Sequence, residues 1–127
     1  MPQKLPYDLF LKSFELVPRV AVDLWVKNEN GGVLYTKRNI EPYKNLWHLP
    51  GTFILIGETV DECIRRLASE EIGLKINGNS FKLRNLDEDL HESRGHVIHL
   101  VYEVIILESE IEETEDKKFC FEPPKDM

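Results

Sequence analysis

Two adjacent carboxylates, Glu70 and Glu71, lie just before Gly73, and a third, Glu58, follows the Gly-bearing stretch Leu49-Pro50-Gly51-Thr52. Oxygen donors of this kind suit a hard divalent cation, and such a cation can meet and neutralise a phosphate chain. The placement is also electrostatically odd. Carboxylates favour the N-terminal end of a helix, because the macrodipole leaves the C-terminal end partially negative, yet this pair falls in a last turn. Bound metal is one answer. Local ion pairing is the other, with Arg66 four residues before Glu70 and Glu62 four before Arg66, each pair worth about 0.2–0.5 kcal/mol. On a helical wheel positions 67, 70 and 71 share an arc, so the pair sits at the edge of the apolar face, and helix geometry leaves both answers open.

The helix that must carry these groups is legible in its spacing. Val60, Cys63, Ile64, Leu67, Ala68 and Ile72 recur at three- and four-residue steps. Thr59 or Glu58 is available at the start and Gly73 stops the helix. Around it, residues 7–14 predict a short helix and Val20 to Lys27 an alternating strand. Asn28-Glu29-Asn30-Gly31-Gly32 predicts a turn and Val33 to Lys37 an antiparallel return, so the chain opens as a hairpin. Arg38 to Trp47, with Pro42, reads as a loop placed to cover a ligand. Phe81 to Leu86 is a weak strand, Asp87 to Gly95 a polar loop, His96 to Leu107 a strand rich in β-branched and aromatic residues, and residues 119–121 a last strand. The pattern predicts a mixed α+β fold of the α/β class, with a mixed sheet between helices in one domain over residues 1–127. It contains no repeats or low-complexity segments.

These residues resemble the Nudix hydrolases, whose signature is G-x5-E-x7-R-E-U-x-E-E-x-G-U with U a bulky aliphatic residue. Glu58, Arg66, Glu70, Glu71, Gly73 and Leu74 fall in register without gaps. Thr52 stands where the first Gly belongs, Leu67 replaces the first Glu, and Ala68 is small for an aliphatic position. Trp47-His48-Leu49-Pro50-Gly51 and Gly57-Glu58-Thr59 are similar to the family's approach to the helix. The likeness extends more loosely from about Arg19 to Phe121. It implies a Nudix-like α/β/α sandwich. The Arg66-Leu67 pair further resembles the GDP-mannose mannosyl hydrolase branch, which retains one essential helix Glu, matching Glu71, and attacks the sugar carbon instead of phosphorus.

The resemblance implies a Mg²⁺-dependent hydrolase of a nucleoside diphosphate linked to another moiety, such as a GDP-mannose-like nucleotide sugar, with Mn²⁺ as an alternative ion. Metal would be held by Glu71 with Glu70 or a backbone carbonyl at Gly51 or Thr52. Glu58 would support the metal loop. Asp23 and Arg38 would be substrate or transition-state contacts, Trp47 would line a nucleotide pocket, and His96 would be a further polar group of the site. No His occurs in residues 114–118, where the branch's general base would align, which leaves Glu115 or Asp116 as the local substitute. The other reading is a degenerate Nudix domain that binds a nucleotide ligand without hydrolysis, motivated by Leu67, Thr52 and an end at Glu122 to Met127 that resembles the approach to a final family helix. That helix is expected to be absent or truncated.

Composition agrees with this reading. The chain has 127 residues, 42% hydrophobic and 31% charged, which suits a single core. Its net charge of −7 argues against general binding to nucleic acid or an anionic membrane, and a phosphorylated substrate then needs a metal to offset repulsion. No charged-then-apolar leader and no membrane-length apolar run is evident, so the expected compartment is the cytoplasm. Cys63 and Cys120 read as buried small hydrophobes and not as a disulfide. His48, His91 and His99 read as surface or packing histidines. A homodimer is compatible with the family resemblance, although no residue in the sequence marks an interface.

Overall fold

The computed structural model describes residues 2–37, 44–78, 80–111 and 119–121. Helix α1 (Tyr7–Leu16) leads into strand β1 (Arg19–Lys27), and short strands β2 (Tyr35–Lys37), β3 (Trp47–His48) and β4 (Gly51–Phe53) precede helix α2 (Val60–Ile72). A long pair follows, β5 (Phe81–Glu92) and β6 (Gly95–Ile105), then a 3₁₀ turn at Glu108–Glu110 and strand β7 (Phe119–Cys120). The larger sheet has the order β4-β1-β6-β5, with β1 and β6 parallel and the other pairs antiparallel; a second sheet has the order β3-β2-β7. The expected mixed α+β architecture is therefore observed, with α2 and α1 serving opposite faces of the larger sheet.

Strand alternation divides those faces. Val22, Leu24 and Val26 of β1 point one way and pack with Cys63, Ile64, Leu67, Ala68 and Ile72 of α2, all buried. Ala21 points the other way, where it joins Val97 of β6 and Phe14 of α1. Phe10, Phe14 and Phe53 pack edge to face there, their centroids 5.1–5.3 Å apart. Arg19 and Arg94 place their guanidinium groups against the same three rings.

Helix α2 forms over the residues its spacing indicates, for identifiable local reasons. Thr59 Oγ1 accepts from the Glu62 amide at 3.1 Å while Glu62 Oε1 accepts from the Thr59 amide at 2.9 Å, a reciprocal capping box. Glu62 is thus occupied at the cap. At the other end Gly73 adopts φ +64°, where a side chain would be strained, and its amide and that of Leu74 close onto the Ser69 and Ala68 carbonyls.

Two expectations are corrected. The Asn28–Gly32 turn forms, with the Asn28 side chain accepting from the Asn30 and Gly32 amides, but the hairpin does not continue. Beyond the Lys27–Val33 bridge, β2 leaves β1 and pairs with β3 and β7. Asp87 to Glu92 is not a loop: β5 runs to Glu92 and turns at Ser93-Arg94, pairing Asp87 with His99 and Asp89 with Val97. Pairing with β6 supplies backbone hydrogen bonds that outweigh the poor strand propensity of acidic residues. Cys63 is buried and Cys120 half-buried, and the two form no disulfide. Among the described residues no helix is long and apolar enough to cross a membrane.

Leu67 has 0% of its surface exposed. Truncation to Ala should cost about 2–5 kcal/mol in chemical denaturation. Leu67→Glu should destabilise the fold instead of simply restoring a ligand, because it places an unpaired carboxylate in that core. A denaturation midpoint unchanged by either substitution would contradict this packing.

Candidate active site

One guanidinium organises the loop between β4 and α2. Arg66 donates from Nε to Glu58 Oε2 at 2.7 Å and from Nη2 to Glu58 Oε1 at 3.0 Å, a forked pair. Nη2 also reaches the Phe53 carbonyl at 3.0 Å, and Nη1 approaches Thr52 Oγ1 at 3.5 Å. Glu58 itself accepts from the Leu55 amide at 3.1 Å. The loop's start, turn and end are therefore fastened to one residue of the helix. The hydrogen bonds from Arg66 hold the Glu58 carboxyl below its usual range despite burial, and Glu58 in turn raises Arg66. Glu58 is an anion committed to positioning the loop. Burial pushes the neighbouring Cys63 thiol up to about 12, which leaves it unreactive.

One turn beyond Arg66, the helix presents its two carboxylates differently. Glu70 Oε2 lies 3.1 Å from Lys4 Nζ and 3.7 Å from Arg66 Nη1. Glu71 is exposed and makes no hydrogen bond or ion pair among the described residues. With Leu67 buried, the acidic end carries two carboxylates. Among the described residues no three His, Cys, Asp or Glu side chains converge as a ready metal cage. The donor set still fits a hard cation, because Mg²⁺ keeps several waters and is commonly held by one or two carboxylates together with substrate phosphates. Thr52 directs its hydroxyl to Arg66, so its side chain belongs to the loop clamp.

A second polar group lies across the sheet. His99 Nδ1 of β6 and Asp23 Oδ2 of β1 are 2.6 Å apart. Gly51 of β4 pairs with Asp23, and a Cβ at Gly51 would overlap the Asp23 carboxylate, so the close approach requires glycine there. The hydrogen bond from Asp23 raises the His99 pKa against the opposing effect of burial, with smaller contributions from the charges of Asp87 and Asp89. Asp23 thus lies on the side of β1 away from α2, with Gly51 against its carboxylate and the Thr52 hydroxyl near Arg66 on the helix side.

His96 is not brought to Asp23. Its Nε2 lies 3.0 Å from Glu88 Oε2 of β5, on the other face of β6. Residues three apart in a strand face opposite ways, so only one of His96 and His99 could meet Asp23. The parallel register, with Ala21 beside His99 and Asp23 beside Val101, selects His99. Trp47 sits on β3, half-buried, with Lys37 Nζ 5.8 Å from its ring. Arg38 and Glu115, with the alternative Asp116, lie outside the described residues.

A family model described as NUDIX domain matches residues 17–127. This chain belongs to the Nudix family. It is 36% identical over 112 residues to the ADP-ribose pyrophosphatase of Methanocaldococcus jannaschii, covering 85% of this chain and 64% of that protein. It is 30% identical over 129 aligned positions to the low-salt glycan biosynthesis protein Agl8 of Haloferax volcanii, covering 95% and 81%. Among solved structures, a MutT/nudix family protein from Enterococcus faecalis superposes with a TM-score of 0.71 at 23% identity, covering 92% of this chain and 51% of that one. This Nudix chain therefore spans about two thirds of the first relative and half of the third.

Glu58→Gln should cost on the order of 3 kcal/mol of stability by denaturant titration, since it leaves the partly buried Arg66 without its counter-charge; a loss indistinguishable from that of an exposed Glu→Gln control would contradict the clamp. The His99–Asp23 pair has a defined pH sign. Because the folded pKa of His99 is raised, its contribution is complete below the unfolded value of about 6.5 and is lost as pH rises through the folded value. NMR titration should find His99 above its ordinary value in the wild type and moved back towards it in Asp23→Asn.

Proposed function

We propose that this Nudix chain is a divalent-metal-dependent hydrolase of nucleoside diphosphate derivatives, with ADP-ribose-like compounds as its first substrate class. The observation that carries the reading is the unengaged Glu71 at the end of a helix whose loop is locked by Arg66 and Glu58. The signature residues are spent on holding geometry, and one carboxylate is left free to act. Glu71, with Glu70, would hold Mg²⁺ or Mn²⁺, and the family resemblance adds a backbone carbonyl of Gly51 or Thr52 as a further ligand. Such an ion, when bound, would neutralise charge that develops on the pyrophosphate oxygens.

The chain's own residues would do the rest. Glu70 would exchange its contacts with Lys4 and Arg66 for the ion, while Arg66 keeps its fork to Glu58. Asp23 holds the His99 imidazole in a fixed orientation, so that His99 is a proton donor or acceptor with a raised pKa, separated from the Gly51 backbone by the Asp23 carboxylate. Arg38 would make a forked phosphate contact, Trp47 would line the nucleotide pocket, and Glu115 would take a proton from water; these three assignments rest on the family resemblance. The ADP-ribose pyrophosphatase relative supports attack at phosphorus. The glycan-biosynthesis relative and the Arg66-Leu67 pair keep a GDP-mannose-like nucleotide sugar as the finer alternative, with attack at carbon.

The buried Leu67 favours a second reading, a nucleotide-binding domain without turnover, because a leucine neither binds Mg²⁺ nor takes a proton. ³¹P NMR of the purified protein with ADP-ribose and GDP-mannose in ¹⁸O-labelled water, with Mg²⁺ and with chelator, separates the two. The hydrolase reading expects Mg²⁺-dependent loss of substrate, with label in phosphate for attack at phosphorus and label in the sugar for attack at carbon. Glu71→Gln should lower kcat by about 10²-fold or more while the protein stays folded. Mg²⁺-enhanced binding without cleavage of either compound would favour the binding domain.

A further inference from the structure

We propose that Lys4 is a substrate-binding residue of this site: its ammonium and a divalent ion compete for the Glu70 carboxylate, and the ammonium that the ion displaces binds a phosphate oxygen of the substrate. This assignment rests on the metal-dependent hydrolase reading and adds a phosphate ligand to it.

Lys4 is distant in sequence from every signature residue. It lies just before α1, which packs on the face of the larger sheet opposite α2, yet its Nζ is 3.1 Å from Glu70 Oε2 near the end of α2. Phe53 of β4 is a neighbour of both helices: its ring packs on Phe10 and Phe14 of α1, and its carbonyl accepts from Arg66 of α2. The N-terminal segment passes beside β4 from one helix to the other and delivers a cation to the acidic end of α2. The two cations at Glu70 Oε2 are held differently. Arg66 Nη1 is 3.7 Å away, but the guanidinium is fixed by its fork to Glu58 and by the Phe53 carbonyl. Lys4 makes no other ion pair or hydrogen bond among the described residues, and its side chain is 67% exposed. Lys4 can leave; Arg66 cannot.

Charge and distance set the ammonium and the ion against each other. Mg²⁺ binds a carboxylate oxygen at about 2.1 Å, so an ion on Glu70 Oε2 with Lys4 still in place would bring the two cations within about 5 Å. Oxygens in adjacent positions around an octahedral ion of this size are about 3 Å apart. A phosphate oxygen on the same ion as Glu70 therefore falls within the swing of the four-carbon lysine stem, and it offers the displaced ammonium a new anion. An ammonium is a compact charge with three rotatable donors, which suits such a handover better than the planar fork of Arg. In a chain of net charge −7, a cation brought to the phosphates also reduces the repulsion that an anionic substrate meets.

Mn²⁺ binding without nucleotide, followed by electron paramagnetic resonance, tests the competition. Lys4→Gln should tighten Mn²⁺ about two- to fivefold, the range set by an exposed ion pair. The gain should vanish when Glu70→Gln is already present, and Lys12→Gln, which removes an exposed lysine paired with Glu15 on α1, should not reproduce it. Calorimetry with α,β-methylene ADP-ribose in saturating Mg²⁺ tests the handover, and the sign should reverse: Lys4→Gln should weaken binding by about fivefold, with Lys4→Arg close to wild type. Unchanged Mn²⁺ affinity in Lys4→Gln overturns the proposal while leaving the hydrolase reading intact. So does a gain that persists without Glu70 or is matched by Lys12→Gln, or an analogue affinity that Lys4→Gln leaves unchanged. A wild type that binds neither Mn²⁺ nor the analogue overturns the hydrolase reading and this assignment with it.

Discussion

The pairing of Arg66 with Glu58 is the contact on which the rest of the site depends. A guanidinium has several donors in a fixed plane, and here they reach a carboxylate, a main-chain carbonyl and the neighbourhood of a hydroxyl. Helix α2 is anchored independently by its buried face against β1. In the loop from β4, Ile54 packs against the same core but Ile56 is 89% exposed, so Arg66 carries the rigidity of the helix on to the Glu58 end of the loop. A lysine could supply the charge but not the fork. The cost is that Glu58, although acidic and close to the helix start, is unavailable for chemistry.

That division leaves few signature carboxylates uncommitted at the end of α2. Leu67 gives its position to the core, Glu58 to the clamp and Glu62 to the helix cap, and Glu70 is partly engaged by cations. What remains is Glu71 at the solvent edge. A cation held there would retain several waters, consistent with a site completed by the phosphates of its substrate. Family membership makes such a site expected, and the buried Leu67 sets it apart from a three-carboxylate arrangement.

The larger sheet keeps two polar groups on opposite faces. Alternation along β1 sends Val22 and Leu24 to α2 and Asp23 to the opposite face, where His99 meets it. Gly51 lets the backbone of β4 pass directly beside that carboxylate. The short strand β4 therefore meets Asp23 through Gly51 and the Arg66 clamp through Thr52 and Phe53.

Local rules sufficed for some of this in the sequence and not for the rest. Helix α2 was legible to the residue, because a 3.6-residue apolar period, a capping threonine and a terminal glycine act over single turns. The mixed α+β class followed from alternation and periodicity, and the Nudix resemblance followed from signature spacing. What depends on how strands pair with one another was not legible. Asp87 to Glu92 has loop-like composition, yet β6 draws it into a strand. The Asn28–Gly32 turn is local and forms, whereas the strand after it goes to another sheet. The resemblance pointed to His96, and His99 read as a surface or packing histidine; their spacing guarantees opposite faces without saying which face meets Asp23. The register of β6 against β1 decides that, and register is set by the whole buried face of the sheet and not by the residues of either strand alone.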